Sequence, residues 1–250
     1  GIRDYKVTGV QTCALLILGG AAPGGAAGLA ALARALKQVS SPPSPGPDAS
    51  NAVKLATWNI NSLAVRLPQL QAWLAEQGPD AIVLQETKLT DDKFPAAELQ
   101  AAGWQCQWFG QKTYNGVALL SREPATEVVR NIPGFDDAQA RVIAGTVAGV
   151  RVIGTYFPNG QAPDSEKFVY KMRWIEALRD WVRAELAAHP QLVLMGDFNI
   201  APEDRDVYDP VAWAGQIHCT PEERAHFREL MALGLADAFR LFEQIGRAHV

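Results

Sequence analysis

Three short polar motifs, each directly after a run of β-forming apolar residues, constrain this 250-residue chain more than any other feature. The apolar runs lie at 53–58, 81–84 and 191–195, and they predict buried strands. The motifs that follow them are Trp58-Asn59-Ile60-Asn61, Gln85-Glu86-Thr87-Lys88 and Gly196-Asp197-Phe198-Asn199. Because ligands gather beyond the carboxyl ends of the strands in open α/β sheets, we expect the three motifs to meet at one rim.

The residue types in these motifs suit a divalent-cation site that cuts phosphate esters. Glu86 offers the hard oxygen ligand that Mg²⁺ prefers. Asp197 can hold or deprotonate an attacking water, and Asn59 and Asn199 can orient water, metal or phosphate without adding charge. Each motif alone is more typical of a turn, a helix cap or a solvated strand end. Their shared position after strands favours the functional interpretation.

The chain from 53 to 244 resembles the exonuclease III family of DNA repair nucleases, within the endonuclease/exonuclease/phosphatase superfamily. The three motifs carry this resemblance together with four further segments. These segments are Gly-Gln-Lys at 110–112, Tyr-Asn-Gly-Val-Ala-Leu-Leu-Ser at 114–121, Thr-Tyr-Phe-Pro-Asn-Gly at 155–160 and Gly-Leu-Ala-Asp-Ala-Phe-Arg at 234–240. The resemblance implies hydrolysis of phosphodiester bonds at abasic sites and 3′ ends of duplex DNA.

The resemblance also implies roles for single residues. Glu86 corresponds to the metal ligand and Asn59 to a metal-site hydrogen bonder, with Mg²⁺, or alternatively Mn²⁺, as the cofactor. Asp197 corresponds to the residue that positions or activates water. Asn199 and Tyr156 correspond to catalytic contacts of the phosphate and the nucleophile.

Three residues are candidates for binding the substrate. Asn159 corresponds to a DNA contact in the family, and Asn61 stands where some relatives carry an acidic second metal-site residue. Lys88 lies beside a motif, where its charge can meet a phosphate. With a net charge of −4, the chain has no overall positive charge that would indicate nucleic-acid binding. Contact with phosphates would therefore depend on local cations such as Lys88. Arg122 and Arg141 are more typical of solubilising surface charge.

The alternation of strand and helix patterns predicts an α/β fold, and the resemblance implies a four-layer sandwich of two packed mixed sheets flanked by helices. The longest predicted helix covers 165–188, with Trp174 and Trp181 as packing residues. The family ends with further strands and a Ser-Asp-His segment, which this sequence lacks. We therefore expect an incomplete sandwich and a nearly inactive fragment. His218 beside Cys219 is more typical of a loop than of a metal site.

Both ends of the chain read as translated sequencing adapter. Residues 245–250 are the translation of ATC GGA AGA GCA CAC GTC, the start of a common adapter. Residues 7–17, apart from Leu16, are the translation of the adapter sequence expected on the other side of an insert. We expect 1–17 to be adapter-derived and disordered, and 18–52 to be a low-complexity Gly/Ala/Pro/Ser segment or read-through. The catalytic domain then covers 53–244, and 245–250 are again adapter-derived.

An odd number of cysteines, three, argues against a secreted disulfide framework and favours the cytoplasm. We expect a monomer that acts on duplex DNA and not on a membrane. Two alternatives stay open: another phosphoesterase of the superfamily, and a noncatalytic nucleic-acid-binding regulator built on the same fold.

Overall fold

A computed structural model of the chain describes residues 13–18, 53–238 and 240. The segment expected to be low-complexity at 18–52 lies outside these residues except for residue 18, and the segments expected to be adapter-derived lie outside them at 1–12 and 245–250. Residues 13–18 form a strand, although we expected 1–17 to be disordered. In chain order the elements are β1 (Cys13–Leu18), β2 (Leu55–Asn59), α1 (Leu63–Gln77), β3 (Ala81–Gln85), α2 (Ala96–Ala101), β4 (Gln105–Phe109), β5 (Val117–Ser121), β6 (Thr126–Arg130), β7 (Val142–Val147), β8 (Val150–Tyr156), α3 (Glu166–Ala188), β9 (Gln191–Asp197), α4 (Pro210–Trp213), α5 (Pro221–Met231) and β10 (Ala236–Asp237).

Two mixed sheets form the centre of the described part of the fold. One has four strands in the order β2, β3, β5, β4, and its β2 and β3 are parallel. The other has six strands in the order β10, β1, β9, β8, β7, β6, and its β8 and β9 are parallel. All five residues of β3 are buried, as its unbroken apolar run predicts.

Three clusters of buried side chains produce four layers. One cluster lies between α1, α2 and the four-stranded sheet and includes Leu70, Leu84 and Leu99. A second lies between the six-stranded sheet and the helices α3 and α5, and includes Trp174 and Phe227. The third joins the inner faces of the two sheets. The predicted four-layer α/β sandwich of two mixed sheets flanked by helices is therefore confirmed.

The long helix α3 begins and ends where its sequence pattern predicts. Ser165 is its N-cap, and its hydroxyl accepts a hydrogen bond from the Phe168 N–H at 3.1 Å. Ile175 and Val182 lie on its buried face, and Trp174 is, as expected, a packing residue with no exposed surface. No helix in the described part of the chain combines the length and apolar character needed to cross a membrane.

The two sheets approach each other closely where a glycine faces a β-branched residue. A Cβ atom added to Gly154 in β8 would lie 2.3 Å from Cγ1 of Val83 in β3. No real Cβ fits at that distance, so the absence of a side chain at 154 allows the sheets to pack at their present spacing. Both strands end at the rim where the polar motifs lie.

Gly154→Ala should therefore lower the free energy of unfolding by about 1–3 kcal/mol, because the added methyl group overpacks the inter-sheet core. Val83→Ala removes the opposing methyl groups, so the double variant should be more stable than the sum of the single losses by about 0.5–3 kcal/mol. Urea unfolding of the wild type and the three variants, followed by circular dichroism, gives the four free energies. Strictly additive losses would contradict this close contact.

Candidate active site at the joined strand ends

The four central side chains of the site stand at the carboxyl ends of two parallel strand pairs. Asn59 is the last residue of β2, and Glu86 directly follows β3. Tyr156 and Asp197 are the last residues of β8 and β9. Since parallel strands end on the same side of their sheet, and the two sheets pack face to face, all four reach one rim. The predicted convergence of the three motifs is confirmed.

One amide group joins the two sheets at this rim. Nδ2 of Asn59 donates to Oε1 of Glu86 at 2.7 Å and to Oδ2 of Asp197 at 2.9 Å. An amide NH₂ has two N–H groups, so each carboxylate receives one. Oδ1 of Asn59 accepts from the Asn61 N–H at 3.1 Å, which determines which way the amide faces. Asn59 thus holds two carboxylates side by side without contributing charge.

Several residues of the motifs have a left-handed backbone conformation. The φ angles are 45° at Asn61, 54° at Glu86, 55° at Lys88 and 46° at Asn199. Such angles are uncommon outside glycine and tend to cluster at functional sites, where surrounding contacts maintain them. Here the N–H groups of Thr87 and Lys88 donate to the carbonyls of Gly116 and Asn115 at 3.1 and 3.0 Å. The matching segment at 114–121 therefore supports the backbone around Glu86.

Glu86 has three polar neighbours. Besides Asn59, Nζ of Lys88 lies 2.9 Å from its Oε2, and the nearby Tyr156 hydroxyl also lowers the pKa of this carboxylate. Burial raises the pKa of Glu86, but the bonds from Asn59 and Lys88 outweigh it, so the pKa falls below the ordinary value. Lys88 also donates to Oδ1 of Asn61 at 2.5 Å. Of the predicted substrate-binding residues, Lys88 thus lies against Glu86, and Asn61 lies against Lys88.

Asp197 has the opposite electrostatic environment. Only 5% of it is exposed, and burial raises its pKa above the ordinary value although Asn59 and the Asn199 N–H both donate to it. The negative charge of Glu86 raises this pKa further. The Asn199 N–H reaches Oδ1 at 3.1 Å, and Nδ2 of Asn199 donates to the Phe157 carbonyl at 2.9 Å. Asn199 thereby links the segment after β9 to the segment after β8.

Tyr156 is supported by an arginine that we interpreted incorrectly from the sequence. Arg141 is 7% exposed and not a surface charge; its guanidinium carbon lies 5.1 Å from the centre of the Tyr156 ring. Its Nη1 also donates to the Tyr156 carbonyl at 3.1 Å. Burial, together with Glu86 and Asp197, raises the pKa of Tyr156, so the hydroxyl remains a protonated donor at neutral pH. Arg141 begins an apolar strand, and nothing local in the sequence reveals its contact with Tyr156.

A cleft of about 520 Å³ opens beside Tyr156. Asn159 lines it with Arg141, Lys167 and Tyr114. Nδ2 of Asn159 lies 3.0 Å from Nε2 of His218, a residue to which we assigned no site role. The 59 positions between Asn159 and His218 explain why the sequence concealed this contact. The predicted substrate-binding residue Asn159 therefore lies at the edge of the site, with His218 beside it.

The donor atoms suit a hard cation that retains water. Within residues 53–238, no three His, Cys, Asp or Glu side chains gather as a complete ligand set. Glu86 and Asp197 supply two neighbouring carboxylates, and Mg²⁺ commonly binds through one or two carboxylates while other positions remain for water and phosphate. These residues thus fit such an ion, with Glu86 the more exposed ligand.

Glu86→Gln should weaken the binding of Mg²⁺ and Mn²⁺ by at least about tenfold, equivalent to about 1.4 kcal/mol, because it removes the more accessible negative charge. Calorimetric titration with Mg²⁺ and electron paramagnetic resonance with Mn²⁺ measure the two affinities. Glu222→Gln, an exposed position at the start of α5, is the matched control and should bind like the wild type. Equal affinities of Glu86→Gln and Glu222→Gln would exclude Glu86 as a ligand.

Comparison with known proteins places this geometry among nucleases. Residues 56–239 match the model of the Endonuclease/Exonuclease/phosphatase family. Exodeoxyribonuclease III of Haemophilus influenzae is 34% identical over an alignment of 200 residues, which covers 75% of this chain and 75% of that one. A 3′ phosphatase from Neisseria, solved with a product DNA hairpin, is 56% identical with a TM-score of 0.75, over 76% of this chain and 74% of that one. An AP endonuclease from Archaeoglobus fulgidus is 34% identical with a TM-score of 0.72, over the same shares.

Proposed function

Because this chain belongs to the exonuclease III branch of the endonuclease/exonuclease/phosphatase family, we propose that its site hydrolyses phosphate esters at the 3′ ends and abasic sites of duplex DNA. The family consists of metal-dependent hydrolases, and the observation that carries the proposal is the Asn59 amide between Glu86 and Asp197. This contact pairs a carboxylate of lowered pKa with one of raised pKa. Such a pair suits a metal ligand beside a general base.

Asp197 is the proposed base for the attacking water. Its raised pKa makes it a stronger proton acceptor than an ordinary aspartate, and the bonds from Asn59 and Asn199 hold both of its oxygens in place. Asn199 orients the water and a phosphate oxygen next to Asp197. Tyr156 retains its proton and can donate a hydrogen bond to a phosphate oxygen.

Glu86, assisted by the Asn59 amide, would hold Mg²⁺, with Mn²⁺ as the alternative ion. When bound, this ion supplies charge stabilisation for the phosphate and the leaving oxygen. Lys88 lies where an incoming phosphate meets the rim, and Asn61 orients the Lys88 ammonium group. Asn159 faces the neighbouring cleft and is the proposed contact to the DNA strand.

The relatives favour 3′-end chemistry as the first activity to test. The Neisseria protein described as a 3′ phosphatase shares 56% of its aligned residues with this chain, whereas the Archaeoglobus AP endonuclease shares 34%. Incision at abasic sites is the second candidate, supported by the latter. Both activities need a water attacking a phosphorus atom, so one arrangement of Asp197 and Asn199 serves both.

We place the protein in the cytoplasm as a monomer. Cys106 and Cys219 are buried free thiols, and burial raises the pKa of Cys106 to about 11. A protein whose buried thiols are unpaired is compatible with a reducing compartment.

DNA hairpins ending in a 3′-phosphate or a 3′-hydroxyl, and a duplex with one internal abasic analogue, test the activity. Low activity of this chain stays a prediction, so the protein is used in excess over DNA and a slow single turnover is followed. Asp197→Asn should reduce the rate about 10²–10⁴-fold, because it removes the base while preserving the shape. Asp136→Asn, at an exposed position, should match the wild type. DNA binding without any Mg²⁺-dependent cleavage would favour the noncatalytic regulator instead.

The rate should also depend on pH in a defined direction. Asp197 must be ionised to accept a proton, and its pKa is raised, so cleavage should fall with decreasing pH already above the ordinary titration range of aspartate. Glu86 has a lowered pKa and stays ionised through that interval. Single-turnover rates measured at saturating Mg²⁺ at each pH test this. A rate that is constant down to the ordinary aspartate range would contradict Asp197 as the base.

A further inference from the structure

A buried ion pair lies behind the two loops of the site. Lys171 of α3 and Glu223 of α5 have fully buried side chains, and Nζ of Lys171 lies 2.5 Å from Oε1 of Glu223. Removing two charges from water is costly, and a well-packed apolar pair of similar volume is often as stable. The stability of the fold alone therefore gives little reason for a lysine at this position.

The hydrogen bonds of Lys171 point toward the site. An ammonium group has three N–H donors, and besides Glu223 they reach the carbonyl of Asn199 at 2.6 Å and that of Asn159 at 3.2 Å. Asn199 belongs to the loop after β9, and Asn159 to the loop after β8. One buried cation therefore binds the backbone of both loops that carry the proposed catalytic and DNA-contacting residues.

Lys171 contacts both loops closely. Asn199 has a left-handed φ of 46°, a conformation uncommon outside glycine that its bonds to Asp197, Phe157 and Lys171 accompany. At Gly160, a Cβ atom would lie 3.1 Å from Cδ of Lys171, so the alkyl chain of the lysine also packs closely under the loop after β8. Both loops are therefore held by contacts with Lys171.

Glu223 in turn attaches Lys171 to the start of α5. Its Oε2 accepts hydrogen bonds from the N–H and the hydroxyl of Thr220 at 3.1 and 2.9 Å, and Thr220 caps the helix. Both oxygens of Glu223 are thereby used. The carboxylate orients the Lys171 ammonium group and fixes its position relative to the start of α5.

We propose that Lys171, oriented by Glu223, is a positioning residue that fixes the position of the Asp197–Asn199 loop relative to the Tyr156–Asn159 loop. It touches neither the substrate nor the proposed metal ligands. Because displacing a reacting group by about 1 Å can cost about 10²-fold in rate, loss of the two carbonyl bonds should lower the rate of the chemical step more than it changes DNA affinity. Only one part of this inference rests on the proposed function, namely the expected loss in the rate of the chemical step.

The test replaces the pair without leaving an unpaired buried charge. Lys171→Met/Glu223→Gln should retain the dissociation constant for the 3′-phosphate hairpin within about threefold and lose at least about tenfold in single-turnover rate. Backbone amides of residues 157–160 and 198–200 should exchange hydrogen at least about tenfold faster, measured by mass spectrometry. Lys171→Gln/Glu223→Gln, which keeps some donors, should lie between this variant and the wild type.

Two controls separate positioning from stability. Asp180→Asn/Arg183→Met removes an exposed ion pair from the same helix and should leave rate and exchange unchanged. Ile82→Val deletes a methyl group from the core between α1 and the four-stranded sheet and keeps every contact of Lys171 and Glu223, so it should lower the melting temperature without the loss of rate.

The outcomes distinguish this inference from the proposed function. Unchanged exchange in both loops of Lys171→Met/Glu223→Gln overturns the positioning role, whether or not the wild type cleaves DNA. A rate loss in Ile82→Val equal to that of Lys171→Met/Glu223→Gln also overturns it, because Ile82 contributes to stability and not to the two loops. If the wild type cleaves no phosphate ester while the loops exchange faster as expected, the proposed function fails and the positioning role stands.

Discussion

The hydrogen bonds from the Asn59 amide to Glu86 and Asp197 are the contacts on which the rest of the site depends. They join side chains at the ends of strands in two different sheets, so they form only when the sheets pack in the correct register. Two carboxylates this close repel each other, and a neutral amide between them allows both to remain near one rim. The close approach of Gly154 and Val83 behind the rim makes this spacing possible.

From this arrangement the two carboxylates acquire different properties. Glu86 lies nearer solvent with Lys88 beside it, and its pKa is below the ordinary value. Asp197 is enclosed by protein, and its pKa is above the ordinary value. The same chemical group can therefore serve as a metal ligand at one position and as a proton acceptor at the other. The surroundings that produce this difference come from both sheets: Asn59 and Lys88 lower the pKa of Glu86, whereas burial at the end of β9 raises that of Asp197.

Much of the fold could be predicted because its strands and long helix have strong local patterns. The run at 81–84 is apolar throughout, and Ser165 marks the start of α3 with a capping side chain. The strand at 13–18 was not predicted, because its apolar run lies in a segment that reads as translated adapter, and its place depends on pairing with β9. Arg141 was misjudged for a related reason: a charged residue is exposed by default, and only the aromatic ring and carbonyl of Tyr156 justify its burial.

The sequence by itself predicted which residues meet at the rim, because Asn59, Glu86 and Asp197 each stand at the end of a strand, and strand ends gather ligands. It also indicated a phosphoesterase, because carboxylates and amides suit a hard cation and an activated water. Tertiary structure alone decided how the surroundings of those residues differ. Burial and distance set the pKa of each carboxylate, and contacts between positions far apart in the chain, such as Asn159 with His218 and Lys171 with Glu223, leave no local pattern to read.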